Sequence, residues 1–165
     1  MGKKMMIMML ALLALLVACD YEPYYEKAEM AVHTFAEQID IARLEASIKA
    51  WEQDDYWHEM KALGDKHLAA SDVTYLYMFA YAPDGVLRYW FDSELPDWDD
   101  YWSVEFNEEV EDGFYPEQLL EPSRYLLSFD GEHYAVYTLP LIGSDGKPFA
   151  FVGADVDVAH VRKFG

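Results

Sequence analysis

Two residue types in this chain could hold a small charged molecule. Arg88 and Arg124 are the only Lys or Arg residues between Lys66 and Lys147, and a guanidinium is a planar fork suited to a carboxylate. Arg88 alternates with Val86 and Trp90 along an extended stretch, so it reads as a carboxylate clamp or as a salt bridge to one of the many nearby acids. Asp155 lies in Phe149-Ala150-Phe151-Val152-Gly153-Ala154-Asp155-Val156. Side chains alternate across a strand, so Asp155 shares a side with Gly153 and two aromatic rings, while Ala150, Val152, Ala154 and Val156 form a smooth apolar side. A carboxylate on such a wall is costly unless partnered. It reads as a ligand group or as an aspartate satisfied by backbone amides.

Other constellations carry less. Trp90, Trp98, Tyr101 and Trp102 beside Asp97, Asp99 and Asp100 could cage an amine, or the rings could simply pack on a sheet. Asn107, Glu108, Glu109 and Asp112 lack the spacing of a calcium loop, and His58-Glu59 is not followed by the second histidine of a zinc protease. The five histidines have no ligand spacing, and no serine sits in a nucleophile elbow. No metal, no cofactor and no enzymatic activity are expected.

Cys19 is the only cysteine, so it cannot close an internal disulfide. It follows Lys3, Lys4, an uncharged apolar run from Met5 to Ala18, and the sequence Leu16-Val17-Ala18. The run is short for a membrane span and fits a signal-peptide core. The end of the run resembles the bacterial lipobox, which implies cleavage before Cys19, lipidation of its sulfur and a domain held outside the cytoplasm on the cell envelope. Residues 1–18 are then a leader, 19–24 the lipidated cysteine and a tether, and 25–165 one domain.

The 165 residues carry 12 basic and 31 acidic side chains, a formal charge of −19. Such a surface repels nucleic acid. The aromatic content of 16% argues against disorder in so acidic a chain.

These side chains need a frame. From about Tyr24 to Trp51 no Gly or Pro interrupts a helical pattern, and one long helix is expected. Ala28, Val32, Phe35 and Ile39 form one apolar stripe. Ile41, Leu44, Ile48 and Trp51 form a second, rotated stripe, which points either to deeper burial in the same domain or to pairing with a second copy or a receptor. Asp54 and Asp55 offer a cap for another helix, running to about Ala70. Asp72–Tyr81 and Val86–Phe91 read as strands around the turn Pro83-Asp84-Gly85. Arg124–Phe129 is a third strand; His133–Leu141 and Phe149–Val156 flank the turn at Ser144-Asp145-Gly146-Lys147. Between the strand pairs, Asp92 to Glu121 holds twelve acids and no Lys or Arg. Val158–Phe164 reads as a closing helical turn.

The order helix, helix, hairpin, irregular segment and three strands is similar to that of Cache domains, the PAS-like extracytoplasmic sensor modules of bacterial receptors. The run Val73–Asp92 resembles their opening hairpin. Leu139-Pro140-Leu141-Ile142 with Asp145-Gly146, followed by Phe151-Val152-Gly153-Ala154-Asp155-Val156, resembles their close. The resemblance covers most of residues 25–163. It implies an α+β fold, with a long N-terminal helix on a PAS-like antiparallel sheet of about five strands, and a sensor or binding module for a small polar metabolite (an amino acid, amine or carboxylate). The competing expectation is a ligand-free adaptor docking on a receptor or envelope complex. Under the resemblance, Tyr75, Tyr77, Arg88, Trp90, Tyr137 and Asp155 are the ligand-facing set, with Asp155 at the position that meets an amine. Arg88 and Asp155 on one wall would suit a zwitterion.

Overall fold

The computed structural model describes residues 21–93, 106–110, 119–129 and 132–158. The leader, the lipobox and Cys19 lie outside them, as do Trp98, Tyr101, Trp102 and most of the closing turn after Val158.

Two helices stand where one was expected. The described part of helix α1 covers residues 21–36, including positions expected as tether. Helix α2 is Ile41–Ala50. The ladder gives way through tightened bonds from Gln38 N to Phe35 O and from Ile39 N to Ala36 O. Asp40 then restarts it, its carboxylate accepting from the amides of Ala42 and Arg43 at 3.0 and 3.1 Å. The Tyr56 hydroxyl fastens the break, accepting from Asp40 N at 2.9 Å. Capping at Asp40 thus outweighs the continuity of helical propensity. Helix α3 is Asp55–Ala70; the Asp54 carboxylate caps it by accepting from Trp57 N and also takes the Ser47 hydroxyl, both at 2.8 Å.

The five strands are β1 (Tyr75–Tyr81), β2 (Leu87–Asp92), β3 (Ser123–Phe129), β4 (Glu132–Ile142) and β5 (Pro148–Asp157). All pairings are antiparallel and the order is β2-β1-β5-β4-β3. The first and last strands therefore lie side by side in the middle of an α+β sheet. The turn glycines Gly85 and Gly146 have φ of 83° and 78°, which a side chain would strain.

The three helices of the described residues lie on one face of the sheet. Ala28, Val32, Phe35, Leu44, Ile48, Tyr56, Trp57, Met60 and Leu68 pack there on Leu76, Met78, Ala80, Ala150, Val152, Ala154 and Val156. The smooth side of β5 is thus the helix-bearing side. The second stripe is spent in the same core: Leu44 is fully buried and Ile48 is 6% exposed. The turn at residues 37–40 swings α2 back onto its own domain, burying Leu44 and Ile48 there and leaving Ile41 and Trp51 partly buried against the same core. Arg124 ties α1 to β3 through Glu22 at 2.6 Å and through Glu29. No helix among the described residues is long and apolar enough to cross a membrane.

Candidate functional site

The other face of the sheet carries the chemistry. β1 and β5 run side by side with Tyr75 opposite Asp155 and Tyr77 opposite Gly153. Paired residues share a face, so these four project away from the helices. β4 adds Val136 and Thr138 opposite Asp155 and Gly153; β3 adds Tyr125 opposite Val136; β2 adds Asp92 opposite Tyr77.

The centre of this face is a buried carboxyl group. Asp155 is 7% exposed, and the Tyr77 hydroxyl donates to its Oδ1 at 2.7 Å. The Tyr77 ring lies across Gly153 so closely that a methyl group there would overlap it. Gly153 is therefore the bed of a tyrosine ring. Burial pushes the Asp155 acid up to about 7, and the bond from Tyr77 pulls it only part of the way back. The Tyr77 phenol is held well above its ordinary value, first by burial and then by the neighbouring Asp155 charge. Burial and the same charge raise Tyr125. The Thr138 hydroxyl is buried on this face without a hydrogen-bond partner among the described residues. Such a site can present a neutral acid that donates or, near and above neutral pH, a carboxylate that welcomes a cation.

The expected ligand-facing set divides. Tyr75, Tyr77 and Asp155 share the wall, as their alternation predicts. Tyr137 does not: it lies opposite Ala154 on the helix face, and its hydroxyl meets His33 Nε2 at 3.0 Å. Trp90 does not either. β2 pairs Met78 with Phe91 but Phe79 with Tyr89, which leaves Trp90 as the extra residue of a β-bulge. The indole lies under the helices with Phe91, where it is fully buried near Tyr56, and the Trp90 carbonyl accepts from Trp57 Nε1 at 2.5 Å. Arg88 sits at the sheet edge, held by Asp84 at 3.0 Å, Glu109 at 3.1 Å and the Asn107 carbonyl at 3.2 Å. It is thus the salt-bridged arginine of the alternative reading, and no zwitterion clamp joins it to Asp155. Sequence reasoning passed over Asp92, Tyr125 and Thr138. The alternation of β3 and β4 carried that signal, but only strand register reveals which half of each strand faces the site. Among the described residues no group of His, Cys, Asp and Glu side chains could hold a metal ion.

An open groove of about 450 Å³ lies at the turn end of the sheet. Glu45, Ile48 and Lys49 of α2 form one side; Tyr81, Pro83, Ser144 and Phe149 form the other.

Comparison with known proteins gives structural likeness only. No family model matches the chain, and no curated protein matches it. Among solved structures it is similar to the periplasmic domain of RsbU from Chlamydia trachomatis, at 13% identity and a TM-score of 0.42 over 88% of this chain and 54% of that one. It is similar to the ligand-binding domain of the Campylobacter jejuni chemoreceptor Tlp3, solved with L-valine, at 11% identity and a TM-score of 0.42 over 85% of this chain and 62% of that one. A Rhodobacter sphaeroides LOV protein aligns at 14% identity and a TM-score of 0.40 over 64% of this chain and 69% of its own. The chain thus spans little more than half the length of the RsbU domain.

Proposed function

We propose that this chain is a lipid-anchored, extracytoplasmic Cache-like module that binds a small metabolite bearing an amine, on the sheet face that carries Asp155. The observation that supports this most is Asp155 itself: a buried acid whose one hydrogen-bond donor among the described residues is the Tyr77 hydroxyl. Ionising it without a cation is costly, and a ligand ammonium group offsets that cost. The amine is favoured over the carboxylate among the expected ligand classes because Arg88 is spent at the sheet edge. The Thr138 hydroxyl, which has no hydrogen-bond partner among the described residues, supplies a second polar contact on the same wall. The role is binding rather than catalysis. Cys19 would hold the module to the envelope membrane, so its output passes to a partner or a receptor.

A second reading, the ligand-free adaptor, draws on the Tyr77 ring that occupies the space above Gly153. A thermal-shift screen of amines, amino acids and carboxylates on the full chain in detergent separates the two, because a ligand that binds only the folded state raises its melting temperature with concentration. The binding reading expects amine-bearing compounds to raise it and Asp155→Asn to remove the effect. If none of the three classes shifts the melting temperature, the adaptor reading stands.

A further inference from the structure

The groove at the turn end of the sheet contains a carboxylate fixed in place without a counter-ion. Glu45 and Lys49 are one helical turn apart in the order that ordinarily pairs them. They do not pair. Glu45 Oε1 instead accepts from the Ser144 amide at 2.7 Å and the Ser144 hydroxyl at 3.2 Å. Gly143 permits this, since a side chain there would collide with the Glu45 carboxylate. No Lys or Arg lies within ion-pair distance of Glu45 among the described residues, and its second oxygen has no hydrogen bond there. Around it stand the partly exposed ring of Tyr81, the half-buried ring of Phe149 and Pro83.

A fixed carboxylate beside aromatic faces attracts an organic cation, through opposite charge and through the ring quadrupoles. The formal charge of −19 raises the local concentration of any cation further. The volume of about 450 Å³ falls in the range of small-molecule sites. We propose that this groove binds a small organic ammonium ion with an apolar body, Glu45 serving as counter-ion and Tyr81 and Phe149 as walls. The site is distinct from the Asp155 face and stands whether or not that face takes a ligand. Lys49 sits at its rim and tunes it, repelling the cation and so weakening affinity.

The test uses the full chain in detergent micelles, with benzyltrimethylammonium as the cation and phenylacetate as an anion of similar shape. The amides of Ser144 and Gly146 report in nitrogen–proton correlation spectra. Benzyltrimethylammonium is expected to shift both saturably. Glu45→Gln, which keeps an oxygen for Ser144, should weaken it about three- to tenfold, and Lys49→Gln should strengthen it about two- to threefold. Asp155→Asn should leave these shifts unchanged, which separates failure here from failure of the site on the other face. The proposal is overturned if phenylacetate binds instead and Lys49→Gln abolishes it, or if benzyltrimethylammonium leaves the Ser144 amide unmoved.

Discussion

Replacing Asp155 with asparagine tests the central feature of the sheet face without a ligand in hand. The amide side chain would keep an oxygen for the Tyr77 hydroxyl but would not ionise. In the folded protein the Asp155 acid titrates at about 7, against 3.8 for an unhindered aspartate. Between those two values the folded state holds a proton that the unfolded chain has lost. Folding then takes up a proton, and stability falls as pH rises, by about 1.36 kcal/mol per pH unit for this group. Below 3.8 both states are protonated and the effect vanishes; above 7 both are ionised and the penalty is complete. From about pH 5 to pH 8 the wild-type protein should therefore lose about 3 kcal/mol relative to Asp155→Asn. Urea denaturation of both proteins at several pH values measures this, and the difference between them cancels any fixed cost of the asparagine amide. A difference that stays constant across that range would refute the claim that Asp155 holds its proton by burial.

Three further outcomes bear on other elements. Gly153→Ala should cost about 1–3 kcal/mol, because its methyl group must displace the Tyr77 ring; tyrosine fluorescence together with urea midpoints would register both effects. Leu44→Ala should cost about 2–5 kcal/mol of stability, since Leu44 is fully buried in its own domain, and sedimentation should show no change in assembly state; dissociation of a dimer by this change would contradict the burial account. Cys19→Ala should release the protein from membranes or stall its processing, and a variant that fractionates like the parent would remove the lipoprotein reading.

Much of the frame was legible, and for an identifiable reason. On β5 one side consists of Ala150, Val152, Ala154 and Val156, so parity alone told helix face from open face. Gly85 and Gly146 marked the β1–β2 and β4–β5 turns because the backbone there needs positive φ. The misplacements have local causes. β4 is a central strand with apolar or aromatic residues on both sides, so nothing in its composition revealed that Tyr137 belongs under the helices. Trp90 keeps the side of Arg88, but the hairpin register sets that side opposite helix-facing Ala80, so the misplacement was one of register against β1. The helix break at Asp40 had a readable signal, an aspartate placed to cap Ile41–Ala50, but the uninterrupted apolar pattern concealed it. Arg88 was a matter of competition: with acids at positions 84 and 109 folded against the same edge, its charge was already claimed.

The bulge at Trp90 also bears on how this chain can vary over evolution. Tyr89 and Phe91 are both odd-numbered neighbours of the bulged residue, yet they face opposite sides of the sheet. One surplus residue therefore acts as a phase shifter between the two halves of β2. Deleting it would close the bulge and leave Tyr89 and Phe91 adjacent, still on opposite sides, so neither half of β2 would turn over. What would be lost is the fully buried Trp90 ring. A deletion at 87–89 would instead break the alternation of the first half, although the hairpin turn a few positions earlier, exposed at Pro83 and Asp84, could absorb a length change.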